Sequence, residues 1–327
     1  MSITDAVTKN RQGESMLRAM TTRALGRTVR DFTADELGGG LCSAVYRICA
    51  DGETVVLKIA SAPEVVTMRH ERKYLQIEAE MLRTFNKKLH IPIPRLIALD
   101  ETCEICPVPY FFMSFMPGKP LMLLDPKPDE EAVLDIKRGV GQICRAITSL
   151  EAPSFGIPYM TETYCACNAD FVLQLLRMLL DDAADCGITL PGIEPEALLA
   201  LIESQRSVLN QAEKPYYVHT DTWDGNVMVQ DQKLTGLIDF AAILWGDPLM
   251  NHDFHTFSRE PGFEEGFGKT EFNEDERIRI EIYRVWQQLG MIVERGFRQY
   301  ADKNLYFWVY DVFRESVSRL CKMTGQA

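Results

Sequence analysis

The chain has 327 residues, 46% hydrophobic and 25% charged, the composition of an ordinary soluble globular protein with room for two domains or one two-lobed unit. No apolar run approaches the roughly 18 residues of a membrane span, and Met1-Ser2-Ile3-Thr4-Asp5 is not a basic-then-apolar leader, so no membrane partner and a cytoplasmic location are expected. Residues 1–115 hold 15 basic and 14 acidic side chains and the remainder 20 and 33, which argues against a nucleic-acid partner and suits the C-terminal part to a cationic small molecule or, more simply, to a solvated acidic surface.

Residues 12–30 carry Met16, Met20, Leu25 and Val29 at helical spacing. The texture then changes to strand, glycine turn and strand over 32–50, with Gly38-Gly39-Gly40 and Ser43 in the turn. Asp51-Gly52 is a hairpin signal, and 54–59 is a third strand that carries Lys58 in an otherwise apolar run. A helix is expected over 71–86, from Leu75, Ile77, Met81, Leu82 and Phe85, with Pro92 and Pro94 beyond its end. Short strands at 96–98 and 110–116 follow, and Pro117-Gly118 closes the segment.

Beyond Asp129 the pattern is helical at 129–149, 168–183, 194–211, 274–300 and 304–323. Strands are expected there only at 216–219, 227–230 and 234–238. The fold class is therefore α+β with two lobes. Residues 1–116 would form a small antiparallel-sheet lobe with one main helix, and 117–327 a larger, mainly helical lobe across a cleft. Nine cysteines include Cys103-x-x-Cys106 and the close pair Cys165 and Cys167. Neither has the further ligand pair of a zinc site, so both read as reduced thiols.

The most specific signal is the run from His219 to Asp239. Asp221 precedes Asn226 by five residues, and Asp239, followed by Phe240, lies 18 beyond Asp221. This is the order and spacing of H-R-D-x-x-x-x-N followed by D-F-G in phosphoryl-transfer loops, with Thr220 in place of Arg and Ala241 in place of Gly. Asp221 suits the group that accepts or orients an acceptor hydroxyl proton. Asn226 and Asp239 offer hard oxygens to Mg²⁺, and His219 is expected to hold the loop. Asp224 is expected to cap or face solvent.

Lys58 in an apolar strand needs an anionic partner. The expected roles are a grip on nucleotide phosphates and a pair with Glu78, Glu80 being the alternative. Gly39, Gly40 and Ser43 are expected over the phosphates. The Ser114 carbonyl and the Met116 N–H are expected to meet a purine where the lobes join.

Together these residues resemble the aminoglycoside phosphotransferase (antibiotic kinase) family and the choline-kinase-like small-molecule kinases close to it. The likeness is carried by residues 39–46, the strand around Lys58, Glu78 with Met81-Leu82, Ile93-Pro94-Arg95-Leu96, and residues 113–118. The 219–226 loop, Ile238-Asp239-Phe240 and Trp245-Gly246-Asp247-Pro248 complete it. The resemblance implies a protein-kinase-like fold with ATP or GTP between the lobes and Mg²⁺, acting on a hydroxyl of a small molecule. An antibiotic is the expected acceptor; choline, an amino alcohol, homoserine or a sugar is the alternative within the enzyme class, and a silent nucleotide-binding module lies outside it. The acceptor is expected over Asp221, near acidic groups among Glu260, Glu264, Glu265, Glu271, Glu274, Asp275 and Glu276. The family's usual Asp two residues after Gly-Asp-Pro is missing, Asn251 and Asp253 falling three and five beyond Pro248, and Thr222-Trp223 replace the more usual Leu-His.

Overall fold

The computed structural model describes residues 6–38, 43–252, 261–300, 302 and 304–326. Gly39, Gly40, Asp253 and Glu260 lie outside the described residues.

Helix α1 (Glu14–Leu25) stops at Gly26, whose φ of 65° lets the chain turn, so Val29 falls beyond the helix. Strands β1 (Phe32–Glu36), β2 (Ala44–Ala50) and β3 (Glu53–Ile59) form a meander, and Asp51 and Gly52 take the positive φ values of a tight hairpin. Helix α2 (Tyr74–Lys88) then crosses to β4 (Leu96–Asp100) and β5 (Tyr110–Ser114), completing a sheet in the order β1-β2-β3-β5-β4.

Both faces of this sheet are buried, which explains why β3 and β5 read as unbroken apolar runs. Val55, Leu57, Ile59, Tyr110 and Phe112 pack in one core with Leu17 and Met20 of α1. Their alternates Val56, Phe111 and Met113 join Leu75, Leu82 and Phe85 of α2 in another. Lys58 shares the face of Val56, so strand alternation points it toward α2.

The C-terminal lobe begins with β6 (Lys119–Pro120), which pairs with the β8 (Val227–Gln230) and β9 (Lys233–Leu237) hairpin. Before that hairpin come α3 (Glu130–Ile147), α4 (Asn168–Asp185), α5 (Pro195–Glu203), α6 (Arg206–Leu209) and β7 (Tyr216–His219). After it come β10 (Ile243–Gly246), α7 (Pro261–Phe267), α8 (Glu274–Arg298) and α9 (Val309–Met323).

Four details depart from the sequence expectations. The helix expected over 194–211 breaks at Ser204-Gln205, and the one expected from 304 starts at Val309. β6 and β10 are additional strands; β10 pairs antiparallel with β7, Ile243 opposite His219, and is too short to stand out by periodicity. Helix α7 is also additional, because Gly262 and Gly266 read as breakers. In the fold they let α7 approach α3 closely: a Cβ on Gly262 would strike the Leu134 carbonyl, and one on Gly266 the Arg138 carbonyl.

Two segments dock the N-terminal lobe on the C-terminal one. The loop before β4 sends the Pro92 carbonyl to the Leu237 N–H at 3.1 Å, and that same carbonyl lies 2.5 Å from where a Cβ on Gly236 would stand. The 3₁₀ turn Arg69–Glu71 places Arg69 on Asp182 and Asp185 of α4, and Glu71 on Arg298 of α8.

Candidate active site

Charge pairing assembles the nucleotide side. Glu78 belongs to the buried stripe of α2 with Leu75, Leu82 and Phe85, and is itself fully buried. One of its oxygens accepts from Lys58 Nζ at 2.5 Å and the other from the Phe240 N–H at 3.3 Å. Lys58 also reaches Asp239 at 2.9 Å. Burial alone would lower the Lys58 pKa, but Asp239 and Glu78 more than reverse it, and the ammonium stays charged. Burial pushes the Glu78 carboxyl upward, and Lys58 holds that shift back. Glu80, the alternative partner, lies on the outside of α2 with Arg83.

Asp239 follows β9 with φ at 63°, a left-handed conformation costly for most side chains and tolerated by Asp. Burial would raise its pKa, but Lys58 outweighs it and keeps the group ionised. In the facing loop Asn226 Nδ2 donates to the Asp221 carbonyl at 2.8 Å and to Asp221 Oδ2 at 2.7 Å. This locks the Asp221 side chain and turns Asn226 Oδ1 away from it. The Asn226 carbonyl accepts from the Ile238 N–H at 3.0 Å, which ties the loop to the segment bearing Asp239. Burial and the nearby Asp239 anion push the Asp221 carboxyl up to about 8, against the Asn226 hydrogen bond.

His219 is fully buried beside Phe240, and burial depresses its pKa to about 4, so it is neutral. Its Nδ1 accepts from the Asp221 N–H at 3.1 Å, in keeping with the loop-holding role expected of it. Asp224, expected to cap or face solvent, has a side chain 45% exposed that pairs with Lys137 of α3 at 2.6 Å.

Ser43 is half-buried at the entry to β2, beside the undescribed Gly39 and Gly40. At the lobe junction the Ser114 hydroxyl accepts from the Arg95 N–H at 2.8 Å, and the Met116 side chain crosses Gly236 of β9 in close contact. Met116 thus forms part of the seam between the β5 exit and the β8–β9 hairpin.

Three of the acidic groups expected near Asp221 are used elsewhere. Glu265 pairs with Arg138, and Asp275 accepts from Gln211. Glu276 closes a capping box with Asn273 and pairs with Lys269. Helix α8 meets the loop at Gln287. There the Gln287 Nε2 donates to the Thr220 carbonyl at 3.2 Å.

Residues 287, 291, 294 and 298 share one helical face, so the groups α8 aligns with this loop are Gln287, Met291, Glu294 and Arg298. Arg298 is held by Glu294 at 2.7 Å, by Glu71 at 2.5 Å and by the Tyr300 hydroxyl at 3.0 Å. The periodic spacing on α8 was visible in the sequence; the arrival of Glu71 from the other lobe was not.

The arrangement supplies a fixed cation, two oxygens of the kind Mg²⁺ takes, and a carboxylate aimed by an amide, around one cleft. The sequence matches the profile of the phosphotransferase enzyme family over residues 33–252. No curated protein sequence gives a match. Among solved structures, a protein assigned as an aminoglycoside phosphotransferase from Ralstonia eutropha JMP134 superposes with a TM-score of 0.65 at 12% identity, covering 97% of this chain and 99% of that one. One assigned as a fructosamine-3-kinase from Haemophilus somnus 129PT gives 0.66 at 15% identity, with 93% and 96% covered. The streptomycin–ATP ternary complex of APH(2″)-IIa gives 0.57 at 15%, with 95% and 97% covered. The fold is the two-lobed, protein-kinase-like one, and the chain belongs to the phosphotransferase enzyme family.

Proposed function

We propose that this phosphotransferase moves the γ-phosphate of ATP or GTP to a hydroxyl of a small, cationic acceptor of the aminoglycoside or another antibiotic type, and that it requires Mg²⁺. The observation that carries the reading is the meeting of two sequence-distant halves: Lys58 contacts both Glu78 and Asp239, while Asn226 clamps Asp221. Lys58, held by Glu78, grips the nucleotide phosphates; Ser43 with Gly39 and Gly40 covers them, and the purine lies against Ser114 and Met116. Asp221, in its ionised form, aligns the acceptor hydroxyl and takes its proton as the oxygen–phosphorus bond forms.

Asp239 and Asn226 Oδ1 fit Mg²⁺, which prefers oxygen ligands, needs few from protein and completes its shell with phosphates and water. When bound, the ion supplies neutralisation of charge on the transferring phosphoryl group. Around Arg298 two carboxylates, Glu71 and Glu294, outnumber the one guanidinium, which favours a cationic acceptor. A sugar or other metabolite acceptor is the second reading, supported by the compensation of both carboxylates through Arg298.

The test is nucleoside diphosphate release by the purified chain with ATP or GTP, with and without Mg²⁺, across a panel of aminoglycosides, choline, homoserine and sugars. Stimulation by one acceptor and loss on chelation are expected. A panel that leaves both nucleotides unconsumed overturns the reading. Growth protection of a susceptible host by the expressed chain separates the antibiotic from the metabolite.

A further inference from the structure

The segment ahead of α1 joins neither a sheet nor a helix, yet it is firmly held. Ala6 and Thr8 are buried, and the Val7 N–H donates to the Arg298 carbonyl at the end of α8, at 3.2 Å. Asn10 Nδ2 then donates to the Ala60 carbonyl at 3.1 Å, Arg11 pairs with Glu36 at 2.9 Å, and the Gln12 N–H reaches the Tyr46 hydroxyl at 3.1 Å. Within seven residues the chain is tied first to the C-terminal lobe and then to one end of β3, β1 and β2.

That end of the sheet is the one remote from the covalent connection. Ile59 pairs with Tyr110, whereas Val55 pairs with Ser114, and the chain leaves for the C-terminal lobe after Ser114. The lobes are therefore joined at both ends of the strands. The C-terminal anchor of the segment is the backbone carbonyl of Arg298, in the last turn of α8, and the side chain of that residue is close enough to act on the Asp221 charge. The segment thus crosses on the acceptor side. Two fully enclosed hydroxyls without hydrogen-bond partners occur in these same parts, Thr8 Oγ1 in the segment and Thr222 Oγ1 beside Asp221. Such groups are costly to leave unpaired unless a ligand meets them.

We propose that residues 6–12 form a strap that is the outer wall of the acceptor site, setting what can approach Asp221. The proposal rests on the phosphoryl-transfer reading above. It predicts control over the smallest acceptor, water. In that leak a water oxygen attacks the γ-phosphorus, the bond to the β–γ bridging oxygen breaks with its electron pair leaving on the nucleoside diphosphate, and the water proton passes to Asp221. Inorganic phosphate is the second product.

The experiment compares the intact chain, a chain lacking residues 1–9, and full-length Val7→Pro, which removes the N–H given to Arg298 and fixes the backbone there. Acceptor-free hydrolysis of Mg·ATP and the affinity for a fluorescent ATP analogue are measured for each. Loss of the wall is expected to raise hydrolysis about tenfold, since closed sites exclude water, with nucleotide affinity unchanged. Adding Lys58→Met must abolish the increase if it arises at this site. Wild-type hydrolysis and affinity in Val7→Pro and in the shortened chain would overturn the strap while leaving phosphoryl transfer standing. Failure of the intact chain to bind nucleotide overturns the phosphoryl-transfer reading itself, and the strap with it. If the shortened chain does not fold, Val7→Pro decides alone.

Discussion

On the nucleotide side, Lys58, Glu78 and Asp239 form one linked set of charges, and each comes from a regular element or its immediate end. On the acceptor side, Arg298 collects Glu71 from the other lobe, Glu294 from its own helix, Tyr300 from beyond that helix and Val7 from the start of the chain. The first set joins a strand, the helix after it and the end of a hairpin 181 residues from Lys58, each member lying in a recognisable local pattern. The second is gathered from four places that share no motif.

The strongest way to break this comparison is Asp221→Asn. Turnover should fall on the order of 10²–10⁴-fold, the usual contribution of a positioned base, while nucleotide affinity measured by titration holds. Normal turnover in this variant would mean that Asp221 is not the base. Next, Lys58→Met leaves Glu78 buried without its cation, and chemical denaturation should show a loss of about 3–5 kcal/mol. Gly236→Ala forces a methyl against the Pro92 carbonyl and Met116; about 1–3 kcal/mol of stability should be lost by the same measurement.

His70 sharpens the acceptor side. Its Nδ1 is enclosed and unpartnered, and burial lowers its pKa. The unfolded chain therefore binds the proton more readily, so stability is full above the ordinary histidine pKa, near 6.5, and falls as pH drops through that value. His70→Phe should flatten this part of the stability–pH curve; an unchanged slope would exclude His70 as its source. The smallest effect is expected for Glu265→Gln, whose partner is Arg138 rather than an acceptor. Its acceptor KM should stay within about twofold, because exposed pairs contribute little.

The unequal legibility of the two sides follows from chain distance. Asp221, Asn226 and Asp239 fall within one stretch whose spacing is fixed by a loop and a hairpin, so their register could be read directly. Lys58 and Glu78 stood out because each is a charge in an apolar pattern. Strand β10 was hidden by its brevity, and α7 by glycines whose purpose is close contact with α3. The acidic stretch before and within α8 suggested an acceptor surface, but capping and ion pairs claim Glu265, Asp275 and Glu276. No periodicity could have announced that Glu71 meets Arg298 across 227 residues.

Helix α8 is secured far from the cleft. Asp247 receives Arg279 at 2.9 Å and the Tyr283 hydroxyl at 2.8 Å, and Tyr283 accepts from Asn168 at 2.9 Å, all within the interior. The helix is thus fastened near its beginning by contacts that its final turns, which face the cleft and are held through Arg298, do not share. Substitutions at Met291 or Glu294 can be sampled there without loosening that footing, which makes the last turns of α8 the place where a library of variants should search for altered acceptor range.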